Sequence, residues 1–200
     1  MTLVPATATA VFEKQWNFKV YLDDREIGYH RFSLNNQGST HYVTSEARFK
    51  VRFLGIPLYS YRHDNRESWN DQCLNEIAAS TDDNGKEYRV DGTVNEDGFI
   101  LETLKGKQLL PSCISTFSYW DKSILENNQL LNSQTGEYLD ISSSFQGREV
   151  IDAGNNKIPA LRYRLVNDKF NIDIWYSEND EWLALESITE GGRVLRYIIE

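Results

Sequence analysis

From His41 to Phe53 the side chains alternate in a strict two-residue rhythm. Val43, Ala47, Phe49, Val51 and Phe53 fall on one side, and Thr44, Glu46, Arg48, Lys50 and Arg52 on the other. A period of two separates apolar from polar only on a strand, because a helix would spread the same residues around its circumference. The pattern therefore predicts a long, half-exposed strand. Similar stretches recur along the chain. Trp16, Phe18, Val20 and Leu22 share one face, Glu26 to Leu34 continues after Asp23-Asp24, and Leu58 to Trp69 carries Tyr59 and Tyr61. Further strands are expected over 73–80, 86–94, 99–104, 138–145, 161–166, 170–176, 182–189 and 194–199. Polar, Gly-bearing turns separate them, the strongest being Asn84-Gly85, a hairpin signal. About twelve short strands at this spacing predict an all-β protein, with a strongly curved antiparallel sheet that is roll-like or barrel-like and removes most free edges. The last strand, Val194 to Ile199, is apolar on both sides and is expected to be covered on both faces.

One stretch breaks the rhythm. Between Pro111 and Leu131, Phe117, Trp120, Ile124 and Leu125 follow spacings of three, four and one, which predict a short helical or irregular insertion near 111–131. Thr116-Phe117-Ser118-Tyr119-Trp120 opens it with three aromatics. Laid across an open roll, Phe117, Tyr119 and Trp120 have two readings. They form the wall of an apolar ligand cavity, or they plug the end of the barrel as core.

Two hundred residues, 40% apolar and 12% aromatic, are enough for one sizeable core, so 11–200 is read as a single domain. The formal net charge of -9 repels phosphate backbones and argues against a nucleic-acid partner. No window approaches the ~20 apolar residues of a membrane helix. Residues 1–10, MTLVPATATA, carry no charge and end in Ala8-Thr9-Ala10, which reads as the cleavage end of a secretory signal peptide, with an ordinary N-terminus as the alternative. Cys73 and Cys113 lie far from any second ligand at zinc spacing, so no metal is expected there. In an exported chain they are read as a disulfide rather than as two buried thiols.

Catalytic chemistry has little support in the sequence. His30, His41 and His63 are scattered, with no HExxH or HxH arrangement, and read as ordinary strand histidines. His41 shares a face with Val43, whereas His30 and His63 have charged neighbours. Asp64, Glu67, Asp71 and Glu76, interspersed with Arg62 and Arg66, read as a solvated charge run. No Gly-x-Ser-x-Gly elbow and no calcium-loop spacing is present, and no cofactor is expected.

Four stretches resemble a bacterial family of exported proteins defined as a domain of unknown function. They are Trp16–Phe32, Tyr59–Gly85, Pro111–Gly136 with TFSYWDKSILENNQLLNSQTG inside it, and Phe170–Tyr197 with IDIWYSENDEWLAL and GGRVLRY. The resemblance implies a Gram-negative periplasmic setting and a spiral β-roll or barrel-like fold, and it brings no catalytic residue. The function expected is non-catalytic binding of a hydrophobic or amphipathic small molecule such as a lipid, through Phe117, Tyr119 and Trp120. Two alternatives stand beside it. One is a hydrolase-like enzyme using Tyr119, His63 and nearby carboxylates at the mouth of the roll, and the other is an envelope protein-protein interaction module.

Overall fold

A computed structural model describes residues 12–53, 56–153, 156–189 and 191–200. The leader reading of residues 1–10 lies outside them. Fifteen strands run in chain order: β1 Phe12–Leu22, β2 Arg25–Gln37, β3 Thr40–Phe53, β4 Ile56–Asn70, β5 Cys73–Asp83, β6 Lys86–Asn95, β7 Gly98–Thr103, β8 Gly106–Leu110, β9 Gln129–Leu131, β10 Tyr138–Asp140, β11 Ser142–Ala153, β12 Asn156–Val166, β13 Asn171–Tyr176, β14 Trp182–Ile188 and β15 Val194–Ile199. The described helical content is one 3₁₀ turn, Lys122–Glu126, capped by the Asp121 carboxylate on the Ser123 N–H.

Thirteen strands form a single antiparallel sheet in the order β11-β12-β13-β14-β15-β1-β2-β3-β4-β5-β6-β7-β8. The first strand therefore lies inside the sheet, hydrogen-bonded to the last one, and two meanders run outward from that seam. Their ends, β8 and β11, are the sheet's two edges, and the stretch 111–141 joins one edge to the other. It passes through the interior. Ile114, Ile124, Leu130, Leu131 and Ile141 are buried in one apolar cluster with Phe18 of β1, Leu101 of β7 and Ile174 of β13. Residues so far apart in a sheet share a core only when the sheet is strongly curved.

Short bonds fix the crossing stretch. The Cys73 and Cys113 sulfurs are bonded at 1.94 Å, and next to them the Leu74 N–H donates to the Ile114 carbonyl at 2.9 Å. The Phe117 N–H donates to the Leu131 carbonyl at 3.3 Å, and the Tyr176 hydroxyl donates to the Tyr119 carbonyl at 3.0 Å. Between β1 and β2 the register shifts at Val20/Tyr21, opposite Gly28. At φ +153° its missing Cβ lets the chain pass the Arg48 carbonyl, which would lie 1.9 Å from that atom.

One expectation changes. The strand covered on both faces is β13, where Ile172 to Tyr176 are all buried, whereas in β15 only Tyr197 is. The reason is local. The outer face of β13 carries Trp175, beneath the Arg162 guanidinium and beside Ala160 and Leu183, and Asp173, which Arg162 and Arg164 clamp at 2.6 and 2.7 Å. The 111–131 insertion is irregular with one short 3₁₀ turn, as expected, and at its end β9 places Leu130 and Leu131 opposite Leu139 and Tyr138 of β10.

Candidate functional site

A cavity of about 230 Å³ lies between the concave face of the sheet and the crossing stretch. The register explains why it is there. Across β2 to β5 the inward side chains form rows. His30, Ala47, His63 and Thr81 stand side by side, followed by Phe32, Ser45, Asn65 and Ala79, and then Leu34, Val43, Glu67 and Ile77. Of the small residues in these rows Ser45 lines the cavity, and its short side chain leaves room where a large one would fill the roll. Thr116 to Trp120 cover this floor, and Phe170, Leu185 and Tyr197 close the far side. Among the lining residues only Gln134 is exposed, which places the opening at the turn between β9 and β10.

The middle of the floor is polar and buried. His63 is 1% exposed, Glu67 5%, Asn65 7% and His30 9%. The hydroxyl of Thr81 donates to the Gln134 carbonyl at 3.0 Å and lies 2.9 Å from Nδ1 of His63. With its one proton committed to the carbonyl, Thr81 accepts from His63 Nδ1–H, which leaves Nε2 as a bare acceptor. Burial pulls the basicity of His63 down to about 4, so the ring is neutral at pH 7. Burial, and secondarily His63 nearby, depress His30 well below the usual imidazole value.

Asn65 Nδ2 donates to Glu67 Oε1 at 2.8 Å, and Trp69 Nε1 donates to Oε2 at 2.9 Å. Burial raises the Glu67 carboxyl above its usual range, partly countered by donors from Asn65, Trp69 and Thr116. With its amide nitrogen held by Glu67, Asn65 presents Oδ1 without a partner, and both ring nitrogens of His30 are unpartnered as well. Buried polar atoms rarely stay unsatisfied in a native fold; among the described residues three of the five such atoms belong to His30 and Asn65, which line this cavity, and the other two are Asn35 Oδ1 and Arg162 Nε, which lie away from it.

The sequence-expected residues converge on this place. Phe117, Tyr119 and Trp120 all line the cavity and are all half-buried. They also pack as core. Phe117 meets Phe170 edge-on at 5.6 Å, Tyr119 tilts over Trp182 at 5.3 Å, and Trp120 meets Trp69 edge-on at 5.7 Å. The stretch is thus wall on one side and plug on the other.

The solvated reading of Glu67 is corrected, and His63, expected as a strand histidine with charged neighbours, is buried as well. Neither is solvated. Odd-numbered residues of β4 from Tyr61 to Trp69 face inward, while Arg62, Asp64 and Arg66 face out and are exposed. His30 is buried likewise, and His41 is the half-exposed one, with Nδ1 2.6 Å from Asn36 Oδ1. The signal was parity, since His63 keeps step with Tyr61 and Trp69, and His30 with Phe32 and Leu34. Among the described residues, no cluster of three or more His, Cys, Asp or Glu could hold a metal ion, and no helix is long and apolar enough to cross a membrane.

An antiparallel sheet rolled around a small, polar-floored cavity defines the class, a β-barrel-like protein with an internal cavity. Residues 18–200 match the model of the domain of unknown function DUF6134, and the chain belongs to that family. A crystal structure of a beta-barrel-like protein of domain of unknown function DUF1849 from Brucella abortus superposes with a TM-score of 0.64 at 9% identity, covering 93% of this chain and 94% of that one. That likeness shows the fold, and it agrees with the barrel-like domain family expected from the four sequence stretches. No curated protein matches the chain.

Proposed function

We propose that this domain is a non-catalytic binding protein for a small amphipathic molecule held in the cavity beneath Thr116 to Trp120. One observation carries the reading: unpartnered, buried polar atoms of His30 and Asn65 belong to residues that line a cavity walled by aromatics. A ligand that supplies their missing hydrogen bonds recovers the desolvation cost of these groups, about 1–3 kcal/mol each. The volume of about 230 Å³ lies below the range of ~300–1,000 Å³ common for drug-sized ligands, which favours a small molecule over a long-chain lipid. The polar floor favours an amphipathic ligand over a wholly apolar one.

The enzymatic alternative draws on Tyr119 and His63, which do line the same cavity. It has less support. The nearest hydroxyl to His63, on Thr81, directs its proton at a carbonyl, and the Glu67 carboxylate is held by neutral donors. Residence in the Gram-negative periplasm belongs to the same proposal, supported by the Cys73–Cys113 bond, which persists in oxidising compartments.

Native mass spectrometry of protein purified from a bacterial host tests the reading, together with titration of small amines, alcohols and carboxylates monitored by tryptophan fluorescence. Wild type should retain or accept a small molecule, and Ser45→Leu, which fills the floor, should not. Failure of every probe class with wild type, combined with unchanged or higher stability in Ser45→Leu, would leave the cavity a packing void and overturn the proposal.

A further inference from the structure

We infer that the cavity selects a ligand through an ammonium group, so that the bound molecule is a small amine with an apolar body. The inference rests on the binding reading above and names the chemistry of that same site. Apart from neutral His30, which brings one N–H and one acceptor nitrogen, the free positions on the polar floor are acceptors. Thr81 fixes Nδ1 of His63 as a donor and leaves Nε2 bare. Asn65 donates one amide N–H to Glu67 and offers Oδ1, which has no partner. Glu67 offers a carboxylate whose hydrogen bonds come from neutral side chains.

No Lys or Arg lines the cavity, and Glu67 makes no salt bridge among the described residues. A carboxylate buried without a cation is costly, and an ammonium ion is the ligand group that offsets both its charge and the surplus of acceptors. The opposite choice fails on the same geometry. A carboxylate or phosphate ligand would meet two neutral acceptors, His63 Nε2 and Asn65 Oδ1, and the like charge of Glu67. The walls agree with a cation, since Phe32, Phe117, Tyr119, Trp120 and Tyr197 line the cavity, and aromatic rings attract positive charge over their faces. At long range the net charge of -9 steers cations toward the molecule and anions away.

An ammonium group reaches such a site on a free amine or on an ethanolamine lipid headgroup, and one experiment separates the two. Benzylamine, benzyl alcohol and benzoate share a ring and differ at the polar end. They are titrated into wild type, Glu67→Gln and Asn65→Ala, with thermal melting used to confirm that each variant is folded. In a parallel arm, the protein is sedimented with phosphatidylethanolamine or phosphatidylglycerol vesicles.

Benzylamine should bind wild type at least about tenfold more tightly than either partner, and Glu67→Gln should remove about tenfold of that preference while leaving benzyl alcohol unchanged. Benzylamine binding without sedimentation assigns a free amine, and selective sedimentation with phosphatidylethanolamine assigns a lipid-borne one. Equal or tighter binding of benzyl alcohol or benzoate overturns the ammonium assignment and leaves the binding reading standing. Failure of all three compounds and both vesicles in folded wild type overturns the assignment, and the Ser45→Leu comparison then decides the binding reading separately.

Discussion

His63 and Thr81 face each other across β4 and β5, and the Thr81 hydroxyl, 2.9 Å from the imidazole, passes its own proton to the Gln134 carbonyl at the mouth of the cavity. A floor residue is therefore coupled to the turn where a ligand would enter. Thr81→Val keeps the shape and removes both bonds, leaving a buried Nδ1–H unsatisfied. Urea unfolding should show a loss of about 1–3 kcal/mol. Hydrogen exchange at Gly136, whose N–H donates to the Asn132 carbonyl at 2.8 Å, should accelerate, and Thr81→Ser should restore both. A Thr81→Val protein as stable as wild type would mean that the network does not hold the turn.

Acid should weaken the fold through its two buried histidines. His63 has a folded value of about 4, against about 6.5 for an unfolded imidazole, and His30 is shifted in the same direction. Protons therefore bind the unfolded chain more readily. Stability from His63 is complete above about pH 6.5, is lost as pH falls through the window below it, and levels off near 4, for a total of about 3 kcal/mol. Glu67 acts oppositely. Its raised folded value means that protonation on acidification favours the folded chain, which offsets part of the loss. Denaturant unfolding at pH 7 and pH 5 should show a smaller drop for a His30→Phe, His63→Gln double variant than for wild type. Identical drops would show that neither ring is neutral and buried in solution.

Reduction of the Cys73–Cys113 bond releases a loop with a sequence separation of 40, worth about 4 kcal/mol in the chain-entropy model. The bond also ties the entry of the crossing stretch to the start of β5, so its loss should loosen the cover of the cavity before the sheet. A Cys73→Ser, Cys113→Ser variant should unfold at clearly lower urea and lose amide protection first at Leu74, which donates to Ile114. Equal midpoints with and without reductant would argue that the bond is absent from the protein in solution.

The sheet was legible because its signals are local. Alternation in β3 put Val43, Ala47 and Phe49 inward, and Asn84-Gly85 turns β5 into β6 with φ of +53° and +91°. The floor of the site was hidden for the opposite reason. Whether His63 and Glu67 are solvated or buried depends on strand parity, and their charged neighbours in sequence, Arg62, Asp64 and Arg66, masked it by pointing outward. Which polar atoms lack a partner depends on the register of four strands and on a stretch some 50 residues away, as the 53-residue separation of Thr81 and Gln134 shows. No local pattern encodes such a pairing.

Trp120 and Trp69 meet edge-on at 5.7 Å but stand in different surroundings, and this separates wall from plug. Trp69 is 2% exposed and gives Glu67 a hydrogen bond at 2.9 Å. Trp69→Ala should cost about 3–5 kcal/mol or more, since it leaves a void and strips a donor from a buried carboxylate. Trp120 is half-buried and borders both the cavity and an outer depression shared with Lys122, Phe145 and Tyr163, so it has fewer packing partners to lose. Trp120→Ala should therefore cost less than Trp69→Ala, by about 1 kcal/mol or more, and should weaken ligand binding at least about tenfold by opening one side of the cavity. Paired urea titrations and ligand titrations of the two variants measure both quantities. Equal stability losses in the two, with binding untouched in Trp120→Ala, would make Trp120 a plug and move the ligand wall to Phe117 and Tyr119.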